Sequence, residues 1–184
     1  MTEVSTIYNR FTALSKRALV GARDVAASIG HDFIGTEHLL IGLAQTAGRA
    51  SEVLRARGVE LDRLRSEVER DLGARGVLAT RGADARTALA TVGIDVGEIQ
   101  RLADVAFGSG SFQFPRPAFS LTAKRAIKAA LEAARDLGAE QIDTEHLLLG
   151  VLAAADNPAL EPLQAFGIDL AELRSALLAR TTER

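Results

Sequence analysis

An internal repeat is the feature that most constrains what this chain can fold into. The ten residues IGTEHLLIGL begin at Ile34, and nearly the same ten, IDTEHLLLGV, begin at Ile142. The match extends backwards at the same separation of 108 positions, so that FTALSKRAL aligns with FSLTAKRAI without a gap. Residues about 10–72 and 118–180 are therefore two copies of one unit, which predicts two supersecondary structures that stack on each other.

A third, partial copy lies between the two full ones. The pattern Leu-x-x-x-Gly, followed by Val or Ile and then by an acidic residue, occurs around Gly58, Gly93 and Gly167. The copy at Gly93 makes the intervening segment look like a repeated second half of the unit. The predicted organisation is a first repeat at residues 1–75, a helical insert and linker at 76–117, and a second repeat at 118–184.

The first half of each copy is typical of two helices joined by a short loop. Thr12 and Ser120 each offer a hydroxyl that can cap the start of a helix. Gly30 and Gly138 follow the last periodic residue, where a left-handed backbone favours glycine. Apolar residues then recur at helical spacing after each Thr-Glu-His, which predicts a second helix in each copy. We expect Thr36 and Thr144 to cap these helices. Their predicted buried stripes are Leu39, Leu40 and Leu43 in the first copy and Leu147, Leu148 and Val151 in the second.

The second half of each copy predicts two more helices. One ends at Gly58 or Gly167, and an acidic residue, Glu60 or Asp169, is placed to start the next one. No run of alternating residues bounded by turns makes a convincing strand. The expected fold class is all-α, with two pseudo-symmetric four-helix repeats packed as one bundle and an extra helical insert between them.

Composition excludes several function classes. The formal net charge is −2, with both signs mixed along the chain, which argues against a nucleic-acid partner because that would need a basic face. Cysteine is absent, so disulfides and thiolate metal sites are excluded. The N-terminus lacks the pattern of a signal peptide, and no apolar run reaches the roughly 18 residues of a membrane span. We expect a soluble, cytoplasmic protein without a membrane partner.

The sequence also lacks the usual signatures of catalysis. There is no P-loop pattern and no His-Glu-x-x-His, and nothing resembles a nucleophile elbow. The histidines are His31, His38 and His146, of which the last two occupy equivalent positions in different copies. A metal site needs three or four converging ligands, so we predict no metal and no cofactor. The expected protein is not an enzyme, although residue counts alone leave Ser-His-Asp chemistry open.

Two interpretations of Thr-Glu-His remain open at this stage. In the structural one, Thr caps a helix, Glu lies in its first turn where the helix dipole favours it, and a neutral His binds the backbone. In the functional one, the helix N-terminus and the carboxylate hold a ligand that carries both signs of charge. The free amide groups and hydroxyls would bind its anionic part, and the Glu would bind a cation such as a guanidinium group.

The paired stretches FTALSKRAL…GHDFIGTEHLLIGL and FSLTAKRAI…LGAEQIDTEHLLLGV resemble the Clp N-terminal domain. This is the helical double-repeat domain at the front of the Clp AAA+ unfoldases, and the resemblance is closest to the ClpC type. It implies a non-enzymatic module of the Clp protease system that binds substrates, adaptors or Clp ATPase and protease components. In ClpC-type members it further implies recognition of phosphoarginine on proteins. With no AAA+ module following, a stand-alone protein is expected.

The resemblance also implies which residues bind the ligand. Carried over by position, it assigns Thr12 and Glu37 to one phosphoarginine-like site, and Ser120 and Glu145 to the other. The neighbouring hydroxyls at the two motifs belong to Thr36 and Thr144.

Two features depart from the family pattern. Asp143 stands where the first copy has Gly35, and a carboxylate there would repel a phosphate. The link between the copies is enlarged, and it ends in a loop that contains Phe112 and Phe114. The enlarged link supports an alternative function, a regulatory or decoy protein that sequesters Clp-directed ligands or partners through its insert and loop surface.

Overall fold

The computed structural model describes residues 9–75 and 117–182. Within them each copy contains four helices, which confirms the predicted all-α class. The first repeat consists of α1 (Ala13–Ile29), β1 (Phe33–Ile34), α2 (Thr36–Gln45), α3 (Arg49–Ala56) and α4 (Leu61–Ala74); the second consists of β2 (Ala118–Phe119), α5 (Leu121–Asp136), α6 (Thr144–Ala153), α7 (Leu160–Ala165) and α8 (Leu170–Thr182). Nearly all of the predicted helical insert, including the Phe112/Phe114 loop, lies outside the described residues.

Cap chemistry sets the ends of the first helix in each repeat, as predicted. The Thr12 hydroxyl accepts a hydrogen bond from the Ser15 amide at 3.1 Å, and the Ser120 hydroxyl accepts one from the Ala123 amide at 3.1 Å. Gly30 follows α1 with φ 84°, in the left-handed region where a Cβ atom would add strain.

The predicted caps of α2 and α6 were wrong by one residue. The N-cap residues are Gly35 and Asp143, and Thr36 and Thr144 are the first helical residues, fully buried. The reason lies three positions after each N-cap. The Nδ1 atom of His38 accepts a hydrogen bond from the Gly35 amide at 2.9 Å, and His146 makes the same contact with the Asp143 amide at 2.9 Å. The histidine thus takes the part that Glu or Gln plays in a capping box.

Two glycines allow the paired helices of each repeat to pack closely. A Cβ atom added at Gly42 of α2 would lie 2.4 Å from the Ala18 carbonyl oxygen of α1. The equivalent Gly150 of α6 would place a Cβ atom 2.2 Å from the Ala126 carbonyl oxygen of α5. Backbones this close bury the predicted apolar stripes, all at most 3% exposed: Leu39, Leu40, Leu43, Leu147, Leu148 and Val151.

Short extended segments of the two repeats pair with each other, which the sequence did not predict. Strand β1 pairs in parallel with β2, so that Phe33 lies opposite Ala118 and Ile34 opposite Phe119. The symmetry-related contact is a single bridge between Phe11 and Ile142. The segment before each Thr-Glu-His therefore binds the segment before the first helix of the other repeat. Two residues are too few to show an alternating pattern, so sequence periodicity could not reveal them.

The second halves of the repeats also pack across the boundary. Helix α3 packs on α8, and α4 packs on α7. Arg75, which follows the last residue of α4, forms an ion pair with Glu161 of α7 at 2.6 Å, and the Arg63 guanidinium lies 4.4 Å from the centre of the Phe166 ring. The repeats consequently share one core. Among the described helices, none combines the length and apolar character needed to cross a bilayer.

Candidate functional site

The exchange of segments decides which residues form each pocket. The Ser120 amide donates to the Ile34 carbonyl at 3.0 Å, which places Ser120 beside the first Thr-Glu-His. The Thr12 amide likewise donates to the Ile142 carbonyl at 3.0 Å. We define the first pocket as Ser120, Gly35, Thr36 and Glu37, and the second pocket as Thr12, Asp143, Thr144 and Glu145. The sequence-based pairing of Thr12 with Glu37, and of Ser120 with Glu145, was therefore wrong, because each hydroxyl crosses to the other repeat.

The second pocket contains one anionic and one cationic contact, both made by the chain itself. The Asp143 carboxylate atom Oδ1 accepts hydrogen bonds from the Thr12 hydroxyl at 2.9 Å and from the Thr144 amide at 2.8 Å. The Glu145 atom Oε1 accepts a hydrogen bond from the Arg49 atom Nη1 at 3.0 Å. At the second pocket the hydroxyl and amide donors thus contact a carboxylate, and Glu145 contacts a guanidinium group.

Burial in the second pocket is uneven. Glu145 is 1% exposed, whereas the side chain of Arg49 is 35% exposed. The second carboxylate oxygen of Glu145, Oε2, is buried and has no hydrogen-bond partner among the described residues. A buried oxygen without a donor is costly, so this carboxylate has unused capacity for a cationic ligand.

The first turn of α3 closes over the second pocket. The Ala50 amide donates to the Thr144 hydroxyl at 3.4 Å, and Gly48 lies so near that an added Cβ atom would be 2.8 Å from the Thr144 Oγ1 atom. Arg49, between them, is thereby directed at Glu145. Arg49 was not among the residues predicted from the sequence, because it lies 96 positions from its partner and outside the repeated motif.

The first pocket has a different arrangement of its carboxylate. Glu37 is 3% exposed; its Oε1 atom lies 3.1 Å from His38 Nδ1, and its Oε2 atom lies 3.5 Å from the Thr36 hydroxyl. The side chain folds back over Gly35, where an added Cβ atom would be 2.0 Å from Oε1. Asp143 has that Cβ atom, so Glu145 cannot fold back in the same way. Both carboxylates are covered in this conformation, and their role as ligand-binding residues stays a prediction.

Electrostatics favour a charged Glu37. Burial raises the pKa of its carboxyl group, but the contact with His38 and the Glu37 backbone amide at the helix start outweigh burial and hold this pKa below its usual value of 4.5. The Gly35 amide and Glu37 compete for the same ring nitrogen, His38 Nδ1. A neutral ring accepts from the amide, and a protonated ring neutralises the carboxylate.

A histidine and aromatic cluster backs the first pocket only. His31 Nδ1 lies 3.1 Å from His38 Nε2, and the His31 ring stacks on Phe33 with their centres 5.0 Å apart. The position that matches His31 in the second repeat is Ala139. In the described parts of the chain, no three His, Asp or Glu side chains are grouped so that they could hold a metal ion.

A shallow apolar depression lies where the two repeats meet on their pseudo-symmetry axis. It is narrow, because six of the eight side chains around it are at most 3% exposed and only Leu19 and Ile127 are half-buried. The residues around it form four matched pairs, one member from each copy: Ala18 and Ala126, Leu19 and Ile127, Leu39 and Leu147, Leu43 and Val151. The prediction that Leu39, Leu43, Leu147 and Val151 belong to buried stripes is confirmed here, since each is at most 3% exposed.

These features define a class of protein, a helical domain made of two repeats. Each repeat has a pocket at the start of the helix that follows its paired extended segment. Residues 10–84 and 118–184 match the family described as Clp repeat (R) N-terminal domain, and the chain belongs to that family. In the Clp/Hsp100 chaperones this domain is a module that binds substrates and adaptors, and it is not a catalytic domain.

Relatives and solved structures agree with this assignment. The chain is 30% identical over 181 residues to the chloroplastic chaperone ClpC1 of Arabidopsis thaliana, covering 98% of this chain and 16% of that protein. It is 31% identical over 173 residues to a ClpA homologue of Guillardia theta, covering 94% of this chain and 17% of that protein. The chain therefore spans about 17% of the length of such relatives.

Two solved N-domains share the fold. The N-terminal domain of ClpD from Arabidopsis thaliana has a TM-score of 0.63 at 23% identity, covering 95% of this chain and 99% of that one. The N-domain of ClpV from Vibrio cholerae has a TM-score of 0.57 at 19% identity, covering 100% of this chain and 94% of that one. Similarity at this level establishes the fold.

Proposed function

We propose that this chain binds substrates or adaptors of a Clp protease by recognising phosphoarginine on them. The observation that carries the proposal is the pair of charged side chains, Arg49 and Asp143, whose contacts are described for the second pocket. There a guanidinium group is bound by Glu145, and a carboxylate is bound by the Thr12 hydroxyl and the Thr144 amide. Phosphoarginine joins a guanidinium group to an anion, so a pocket built on this plan matches both parts of it.

The first pocket is the one that receives the ligand. Gly35 has no side chain where the second repeat has a carboxylate, so once Glu37 turns away the phosphate meets no negative charge at that position. The amide groups at the start of α2 and the Ser120 hydroxyl favour an anion. Glu37 turns away from Gly35 to bind the guanidinium group, and a charge-assisted contact replaces its contact with His38.

Isothermal titration calorimetry with free phosphoarginine tests this function. We expect Glu37→Ala to weaken binding at least tenfold, which corresponds to about 1.4 kcal/mol. The matched control is Glu69→Ala, which removes an exposed carboxylate on α4 and should leave the affinity unchanged. Free arginine and inorganic phosphate should each bind more weakly than phosphoarginine. Equal affinity of the Glu37→Ala variant and the wild type would contradict the proposed site.

A second candidate function uses the apolar depression to hold a peptide segment. Its support is that Leu19 and Ile127 are only half-buried where they line the depression, together with the related ClpV N-domain, which has been solved in complex with a VipB peptide. Fluorescence anisotropy with labelled, reduced and carboxymethylated lactalbumin provides an unfolded probe. We expect Leu19→Lys to weaken its binding at least tenfold, whereas the neighbouring Val20→Lys, at a side chain already 41% exposed, should not.

A further inference from the structure

The two pockets have the same motif but different contents. We infer that the second pocket is closed by Arg49 and Asp143, which occupy the places of the cationic and anionic parts of a ligand, so that the molecule binds one ligand, at the first pocket. This inference rests on the proposed function and adds the regulation of its two sites.

The cationic part of the closure is specific to the second pocket. The Arg49 guanidinium group is bound to Glu145, which is 1% exposed, while Arg49 itself reaches the surface. With the one-residue shift that aligns Gly58 with Gly167, the position that matches Arg49 in the second repeat is Pro158, which carries no charge. Among the described residues, no arginine or lysine forms an ion pair with Glu37. In the described part of the chain, the glutamate of the second pocket therefore has a guanidinium partner, whereas the glutamate of the first pocket contacts His38 instead.

The anionic part follows the same asymmetry. The Asp143 carboxylate already accepts the Thr12 hydroxyl and the Thr144 amide, which are the donors that an incoming phosphate would need. Gly35 stands at the equivalent position of the first pocket and has no side chain. The space beside it holds the Glu37 carboxylate, which the proposed function requires to turn away when the ligand binds. A phosphate at the second pocket would have to displace a like charge as well as take over its hydrogen bonds.

One oxygen of the Glu145 carboxylate has no hydrogen-bond donor among the described residues. This indicates that Arg49 covers a ligand-binding carboxylate and does not form a complete structural ion pair with it. A bidentate arginine would use both carboxylate oxygens, yet Arg49 binds Oε1 only and leaves the buried Oε2 without a donor. Arg49 is partly exposed and makes only one of the two contacts that Glu145 offers, so a ligand that reaches Glu145 can displace it. Because Arg49 is part of the same chain, it competes at every ligand concentration.

Calorimetric stoichiometry with phosphoarginine tests the closure. We expect one site per molecule for the wild type and two for the double variant Arg49→Ala/Asp143→Gly, which gives the second pocket the composition of the first. Adding Glu37→Ala should reduce the wild type to no site and the double variant to one. Two sites in the wild type, or one site in the double variant, would overturn the inference and leave the proposed function standing.

A second measurement tests the closure of the second pocket separately from phosphoarginine recognition, in case neither the wild type nor its variants bind phosphoarginine. Ethylguanidine serves as a probe of the cation position alone, followed through the amide NMR signals of Thr144 and Glu145. We expect saturable shifts in Arg49→Gln, in which the shorter amide side chain preserves the fold, and at least tenfold weaker binding in the wild type. Equal responses of the two proteins would overturn the closure whatever the result with phosphoarginine.

Discussion

At the scale of single residues, the recurring histidine is explained by the backbone. His38 and His146 lie three positions after an N-cap residue, and each accepts the amide hydrogen of that residue at 2.9 Å. This leaves the neighbouring glutamate in the first turn, where the helix dipole stabilises its charge. The structural interpretation therefore accounts for the histidines, whereas ligand binding by Glu37 and Glu145 stays a proposal.

Replacing His38 should show how much this contact contributes. His38→Ala leaves the buried Gly35 amide without an acceptor, so we expect a loss of about 1–3 kcal/mol in the free energy of unfolding before any cavity effect. His38→Gln should recover part of the loss, because glutamine at this position can accept the same amide. Urea denaturation monitored by circular dichroism measures both. Equal stability of the Ala and Gln variants would show that the ring packs but does not cap.

Glu37 should make stability depend on pH in the acid range. Its pKa in the folded protein lies below the usual 4.5, so its stabilising effect is present above that value and is lost as the pH falls through the folded pKa. We expect Glu37→Gln to be less stable than the wild type at pH 7 and to show a shallower loss on acidification. Urea denaturation from pH 7 to about pH 3 measures this, with exposed Glu69→Gln as the control. Parallel profiles for the wild type and Glu37→Gln would contradict the lowered pKa.

At the scale of elements, the helix pairs α1–α2 and α5–α6 are the rigid units that position the pockets. Each pair is set by one glycine at the crossing and by the apolar stripe that follows the motif. Because α6 begins at Thr144 and packs along its length on α5, the direction of its first turn is fixed by this crossing. The orientation of Glu145 is therefore determined by packing one to two turns away.

A substitution at the crossing should be much more costly than one elsewhere. Gly150→Ala forces a Cβ atom against the Ala126 carbonyl, and we expect a loss of about 1–3 kcal/mol in unfolding free energy. Gly73→Ala is the matched control, since its Cβ atom would meet nothing within 4 Å in α4. Alanine is the better helix former, so this control should gain up to about 1 kcal/mol. Thermal denaturation compares the two, and similar effects would argue against a tight crossing.

At the scale of the whole molecule, the repeats depend on each other. Exchanged segments, the contacts of α3 with α8 and of α4 with α7, and the facing helices α2 and α6 all cross the boundary. Each pocket is likewise composed of residues from both repeats. A single repeat would expose the apolar residues that now face its partner, and it would lack one wall of each pocket.

Separation of the repeats tests this dependence. We expect the fragment 118–184 alone to show no cooperative thermal transition, because burial of residues such as Leu147 and Leu173 relies partly on the first repeat. Mixing it with the fragment 1–75 should restore a cooperative transition. Circular dichroism and size-exclusion chromatography follow both steps. A cooperatively folded, monomeric 118–184 fragment would contradict the shared core.

The sequence by itself determined the repeat, the helical class, the hydroxyl caps of α1 and α5, and the buried stripes. These features depend on interactions between residues three or four positions apart, which a pattern in one chain reveals. It also located Glu37 and Glu145 in the first turns of α2 and α6, although it placed the caps one residue too late.

Only the tertiary structure decided which residues share a pocket. The exchange of two-residue segments brings Thr12 to Asp143, and the first turn of α3 brings Arg49 to Glu145 across 96 positions. Contacts between distant positions leave no periodic trace in a single sequence, so neither could be predicted. These contacts make the two pockets different. Gly35 stands where the other copy has Asp143, and Pro158 stands where the other copy has Arg49, so the charged groups of the second pocket have no equivalent at these positions of the first.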